Sequence, residues 1–378
     1  MIDFIADWWV IPFLIVITPL VFFHELGHYL AARACNVRVE MFSVGFGREI
    51  LGWTDRLGTR WKIALIPIGG YVKMFGEMQN VPSDSESTSE ISADEAAFAF
   101  HTKSIAQRAF IVIAGPMANL VLAVFILSGI FMTIGQPYTP TTIDSVVADS
   151  AAESAGFVAG DKIIGVDGKT VRRFEEVREM VLINPGIKMI FLVKRQGKTI
   201  QLTATPEVVS IETDVGNQKY GRLGVSAGAV GQEMKKHGAF GAILEGSKQT
   251  YVLTENIFTA LGQILNGTRK TEELAGPIRI AKMSSDVWKL GIINVLMLAA
   301  ILSINLGIVN LFPVPLLDGG HLFFYAIEAL RGRPLGERAQ EYSMRLGVLL
   351  LLALMLFVTF NDIRILFDQF VEFFTRLI

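Results

Sequence analysis

Cysteine is nearly absent: Cys35 stands alone among 378 residues. No intramolecular disulfide and no thiolate cluster can form, so any bound metal must be held by histidine and carboxylate. Charge is scarce as well. Only 19% of residues are Asp, Glu, Lys or Arg against 51% hydrophobic, and the mean hydropathy reaches +0.46. A soluble chain of this length seldom reaches that value, which places part of this one in lipid. The charges nearly cancel, 34 basic against 36 acidic. Without a basic excess, nucleic acid is not an expected partner. The first residues carry Asp3 and Asp7 and no basic n-region, so the first apolar run reads as a retained helix rather than a cleaved signal peptide.

That apolar run leads into His24-Glu25-Leu26-Gly27-His28. At helical pitch His24 and His28 lie one turn apart on one face, where both can reach one metal ion with Glu25 beside it, the arrangement of zinc hydrolases. The helix is expected over about Ile5 to Ala34, with Trp8 and Trp9 as interface anchors. Further apolar helices are expected at about Arg108–Ile134, Leu290–Phe312 and Leu346–Phe360. Arg33, Arg38, Arg48, Arg56, Arg60, Lys62 and Lys73 follow the first of these, and Arg331, Arg333, Arg338 and Arg345 follow the third. Both basic loops are assigned to the cytoplasm, which leaves the two termini outside.

The resulting division is 1–36, first transmembrane helix; 37–107, cytoplasmic loop; 108–135, second helix; 136–230, extracytoplasmic α/β module; 231–289, amphipathic segment at the outer surface; 290–321, third helix; 322–343, cytoplasmic loop; 344–361, fourth helix; 362–378, interfacial tail. Within the first loop, Phe42–Phe46 and Trp61–Ile66 suggest short strands or hairpins close to the membrane, and 82–95 reads as a flexible acidic linker. In the module, Ile163–Val166 and Met189–Val193 are strand-like and Phe174–Leu182 is helical in pattern; 208–231 either completes it or forms a separate strand pair.

Two histidines do not complete a catalytic metal site, which needs a third protein ligand and an open position. Asp318 is the favoured third ligand, an ionisable residue just past the third helix and on the same side as His24 and His28 by charge counting. His321 competes with it less well, and His101 lies beyond the acidic linker. Glu25 would move a proton from water to a leaving amine, making amide hydrolysis the expected reaction. A membrane scaffold with a structural metal and a metal transporter are the alternatives; no internal repeat of the kind common in transporters is visible.

The series His24–His28, Gly115-Pro116-Met117-Ala118-Asn119, and Asn310-Leu311-Phe312-Pro313-Val314-Pro315-Leu316-Leu317-Asp318-Gly319-Gly320 resembles the motifs of the site-2 protease family, intramembrane metalloproteases of M50 type. Ser43–Gly47 and Pro67-Ile68-Gly69-Gly70-Tyr71-Val72-Lys73-Met74 resemble its bacterial RseP-type branch, and Ser150–Val171 resembles a bacterial PDZ domain. Larger relatives carry two PDZ domains in tandem; one complete signature is present here. The resemblance implies a polytopic α-helical membrane protein of about four transmembrane helices, with an inserted extracytoplasmic PDZ-like α/β domain and a membrane-associated cytoplasmic β-hairpin region. It implies Zn2+ held by His24, His28 and Asp318, Glu25 as catalytic base, and Asn310, Pro313, Pro315, Gly69 and Gly70 along the substrate path. Expected partners are single-pass membrane protein substrates, membrane lipids and an upstream site-1-type protease. The expected location is the bacterial inner membrane, multi-pass, with both termini and the PDZ-like domain periplasmic.

Overall fold

The computed structural model describes residues 9–77, 93–213, 216–227, 233–266, 276–333 and 336–375, so the acidic linker expected at 82–95 lies mostly outside them. The chain divides into two units, residues 1–129 with 243–378, and residues 130–242.

In the first unit, four helices among the described residues are long and apolar enough to cross a membrane: Val10–Ala34, Ile105–Thr133, Ile292–Asn310 and, within Glu337–Thr375, the stretch 338–364. Helix α1 (Val10–Ala34) ends where Asn36 adopts φ 56°, with Asn36 N donating to Arg33 O and Val37 N to Ala32 O. An asparagine in the left-handed region past the last turn is a standard helix stop. Helix α2 (Ile105–Thr133) starts at a reciprocal capping box, Ser104 N donating to Gln107 Oε1 and Gln107 N to Ser104 Oγ.

Between them, β1 (Val39–Thr54) and β2 (Arg60–Met74) are far longer than the short strands the sequence suggests. Each strand is bent, so the two lie as four segments. Residues 41–44 are flanked by 70–73 on one edge and by 60–63 on the other, and 60–63 in turn flank 51–54. The bends fall at Gly45 (φ 91°) and Gly69 (φ 95°), where a side-chain-bearing residue would be strained. The base of this ribbon is anchored by Val39, Phe42 and Met74, buried with Tyr29, Val37 and Phe100. Its distal half leaves Phe46, Ile50, Leu51, Trp53, Leu65 and Ile66 exposed.

Helices α3 (Phe174–Leu182), α4 (Ala239–Leu265), α5 (Pro277–Lys289), α6 (Ile292–Asn310), α7 (Asp318–Arg331) and α8 (Glu337–Thr375) follow in chain order. Two of these correct the sequence reading. The stretch 322–343, expected as a loop, holds most of α7, because Leu322 and Tyr325 pack against the Tyr29–Phe42 cluster and Gly332 at φ 68° closes the helix. The arginine content that marked a loop hid this apolar face. The tail expected from 362 onward continues α8 without a break to Thr375, and Asp362 inside it accepts from Gly276 N and Arg279 N at the start of α5.

The second unit is an α/β module. Its main sheet runs in the order Lys169–Thr170, β3 (Lys162–Val166), β4 (Met189–Arg195), β5 (Lys198–Ala204), all antiparallel neighbours. The 208–231 region does both things the sequence left open: β6 (Glu207–Thr213) pairs with β7 (Gly216–Arg222), while Val225–Ser226 pairs with Ser145–Val146. Phe157, Ile163, Val177, Met189, Phe191 and Val193 form the core, each contributing about 1.5–3 kcal/mol by burial.

Candidate metal centre

His24, Glu25 and His28 are buried on α1, at 8%, 9% and 8% exposure. Across from them, Asp318 is the first residue of α7, presented by a tight turn after α6. In that turn Val314 N donates to Phe312 O and Leu317 N to Val314 O, and Leu316 is held at φ 90°, a conformation rare for a leucine. The first turn of α7 sits hard against this segment: a Cβ on Gly320 would lie 2.4 Å from Val314 O. Arg108 of α2 clamps α7 further along, with an ion pair to Glu328 at 2.7 Å and its guanidinium 4.8 Å from the Tyr325 ring centroid. Burial pushes the Tyr325 phenol up to about 12, so it remains a neutral hydroxyl.

Three atoms converge. His24 Nε2 and His28 Nε2 are 3.3 Å apart, and Asp318 Oδ2 lies 3.2 Å from the first and 3.4 Å from the second. Tetrahedral zinc with ligands at about 2.0–2.1 Å has ligand–ligand edges of about 3.3–3.4 Å, so the triangle has the size of one face of that tetrahedron. Asp318 Oδ2 is buried and has no hydrogen-bond partner. A carboxylate oxygen so placed calls for a cation. These are the residues among those described that could hold a metal ion together.

Each imidazole is oriented from behind by α2. His28 Nδ1 lies 2.9 Å from Ile111 O, so it donates there and leaves Nε2 free as a ligand. His24 Nδ1 lies 3.2 Å from Asn119 Nδ2. Helix α2 can pass this closely because position 115 lacks a side chain: a Cβ on Gly115 would fall 2.2 Å from His28 Nε2.

The remaining residues singled out from sequence distribute as follows. A Cβ on Gly70 would lie 2.9 Å from Glu25 Cγ, so the ribbon passes directly over the catalytic candidate, while one on Gly69 would meet the Phe46 ring at 2.4 Å. Asn310 ends α6, Pro313 is exposed, and Pro315 is covered by α8, where a Cβ on Gly347 would come within 2.4 Å of Pro315 O. His321 is not part of the triangle, and His101 Nδ1 donates to Gly76 O instead. Sequence reasoning gave neither of the two supports from α2 a role, although it singled out Asn119 within its motif. A backbone carbonyl such as Ile111 O has no sequence signal; Asn119 had one, an amide inside an apolar helix.

The comparisons with known proteins place the chain in a family. The model of peptidase family M50 matches residues 12–354. A candidate zinc metalloprotease of Agrobacterium fabrum is 40% identical over 359 residues, covering 94% of this chain and 95% of its own. One from Rhizobium meliloti is also 40% identical, over 94% of this chain and 96% of its own. Metalloprotease MmpA of Caulobacter vibrioides is 36% identical, over 94% and 95%. A solved PDZ domain of an SdrC-like protein from Listeria monocytogenes covers 23% of this chain and 87% of its own, at 17% identity and a TM-score of 0.18, too low to class the module. With the family match running through nearly the whole chain and near-full-length relatives at 40% identity, the chain belongs to peptidase family M50, the site-2 proteases, and is a multi-pass intramembrane zinc metalloprotease.

Proposed function

We propose that this protease cuts within transmembrane segments of single-pass membrane proteins, as a step in regulated intramembrane proteolysis, with His24, His28 and Asp318 holding the zinc and Glu25 as the base. The observation that carries the proposal is the 3.2–3.4 Å triangle of His24 Nε2, His28 Nε2 and Asp318 Oδ2 beside a buried glutamate. Zinc, when bound, supplies Lewis acidity, lowering the pKa of an attacking water and polarising the scissile carbonyl. Glu25 takes the proton from that water and delivers it to the leaving amine. Its burial beneath Gly70 keeps the exchange away from bulk solvent.

A helical substrate shields its own peptide bonds, so it must be held extended at the site, and a free strand edge does that by hydrogen bonding. Val44 is flanked on both sides, by Gly70 and by Ile63, so the outer segments are 51–54 and the one starting at Gly70, and it is the latter that lies over Glu25. The exposed apolar side chains of the distal ribbon would face lipid. The two basic loops lie on the cytoplasmic side of a bacterial inner membrane, and the Arg108–Glu328 pair ties the end of the first of those regions to the second. The α/β module is then periplasmic and PDZ-like, either sizing substrates or reading the end left by an upstream site-1-type protease.

Glu25→Gln tests the central step. The variant should keep zinc and lose cleavage of a membrane substrate by more than about 100-fold. Cleavage surviving with zinc in place would overturn the assignment of Glu25 as the base. Membrane proteins that accumulate on the same variant identify substrates.

A further inference from the structure

We infer that Asn119 is a positioning residue for the metal: its side-chain carbonyl accepts a hydrogen bond from His24 Nδ1–H and so fixes the tautomer that presents Nε2. The inference rests on the zinc-site reading above. Three observations lead to it. First, His24 faces His28 and Asp318 through Nε2, so a neutral His24 that ligates there carries its proton on Nδ1. Second, the group 3.2 Å from Nδ1 is Asn119 Nδ2, which sets a donor against a donor. Third, Asn119 is fully buried and its Oδ1 has no hydrogen-bond partner.

Amide oxygen and nitrogen exchange places by a half-turn about the last side-chain bond, and the choice between them is settled by the hydrogen bonds each makes. A half-turn here puts Oδ1 on His24 Nδ1–H and removes both faults at once: the opposed donors and the orphaned acceptor. The two ligands are then supported alike, His28 by the Ile111 carbonyl and His24 by the Asn119 carbonyl, both from α2. The main chain at Asn119 is held independently, since Ser303 Oγ of α6 donates to Asn119 O at 2.7 Å. Side-chain substitutions leave that bond in place.

The experiment measures zinc affinity by chelator competition on the full-length protein in detergent. Asn119→Leu keeps the shape and loses the acceptor, and should weaken zinc roughly 10–100-fold. Asn119→Asp keeps an oxygen where the carbonyl oxygen sits and should stay within about 3-fold of wild type, since carboxylates are common supports of zinc-bound imidazoles. Asn119→Leu binding zinc as wild type does would overturn the inference, as would Asn119→Asp binding as weakly as Asn119→Leu. Ser303→Ala separates packing from acceptance: a loss as large as that of Asn119→Leu would assign the effect to helix packing and overturn the inference. If Asn119→Leu does not fold, Asn119→Asp decides alone, because retention requires an acceptor and loss excludes one. A wild-type chain without zinc affinity would bring down the zinc-site reading as well, whereas wild-type affinity with no difference between variants overturns the Asn119 role alone.

Discussion

Two aspartates with buried carboxylate oxygens, Asp161 and Asp318, one in each unit, are treated in opposite ways. Asp161 in the α/β module has 0% side-chain exposure, and its two oxygens accept from Arg195 Nε at 2.7 Å, Arg195 Nη2 at 2.8 Å and Val158 N at 3.1 Å. Asp318 in the helical unit keeps Oδ2 without a hydrogen-bond donor, facing two imidazole nitrogens. A buried carboxylate is tolerated when the chain itself neutralises and hydrogen-bonds it. Asp161 meets that condition within the fold and is a structural residue. Asp318 meets it when a cation joins the triangle, which is what distinguishes a site from a strut.

Replacing each carboxylate with its amide should separate the two roles. Asp318→Asn is expected to lower zinc affinity and cleavage by more than about 100-fold, measured by chelator competition and turnover of a membrane substrate. The helical unit should remain folded, because Oδ2 has no protein hydrogen bond to lose. Asp161→Asn should leave zinc affinity unchanged and lower the opening free energy of β3 and β4 by about 2 kcal/mol, read by hydrogen exchange in the full-length chain. Zinc loss in Asp161→Asn, or intact zinc binding in Asp318→Asn, would break the comparison.

The sequence made the first half of the site easy to read and the second half harder, for physical reasons. His24 and His28 are four apart on one helix, so local periodicity alone puts them together. Asp318 joins them from nearly three hundred residues away through packing, and only charge, membrane depth and family resemblance pointed to it. The apolar spans were legible because composition suffices for them. The bent ribbon was not: Phe42–Phe46 and Trp61–Ile66 read as short strands, whereas Gly45 and Gly69 let long continuous strands turn back beside themselves. Helix α7 was hidden for the converse reason, its apolar positions masked by the arginines around its end. Asn119 was visible within its motif, but the partner that gives it meaning, His24 Nδ1, belongs to another helix.

The space around the ligands should be reserved in the same sense as the charge. Gly115 and Gly129 both lie on α2, yet a Cβ on Gly115 would meet His28 Nε2 at 2.2 Å and one on Gly129 would meet nothing within 4 Å. Gly115→Ala must displace the His28 ring or the helix, so zinc affinity should fall together with about 1–3 kcal/mol of stability. Gly129→Ala should instead stabilise the helix by about 0.5–1 kcal/mol with zinc binding unchanged. Thermal melts and chelator competition on the pair check this. Equal effects would mean that the closeness at Gly115 is ordinary packing unrelated to the metal ligands.

The smallest expected effect is the pH response of the strut. The Arg195 guanidinium beside Asp161 holds its carboxyl below the usual aspartate range. A carboxyl depressed in the folded state stabilises fully above its unfolded value, about 3.9, and that contribution is lost as pH falls through the lower folded value. Opening of β3 and β4 should therefore become easier in the wild type as pH drops below about 4, beyond the change seen elsewhere in the module. The Asp161→Asn variant should lack that added slope, because nothing at position 161 titrates. An identical acid profile in both proteins would show that Asp161 is not neutralised through Arg195, and would remove the contrast with Asp318 at its source.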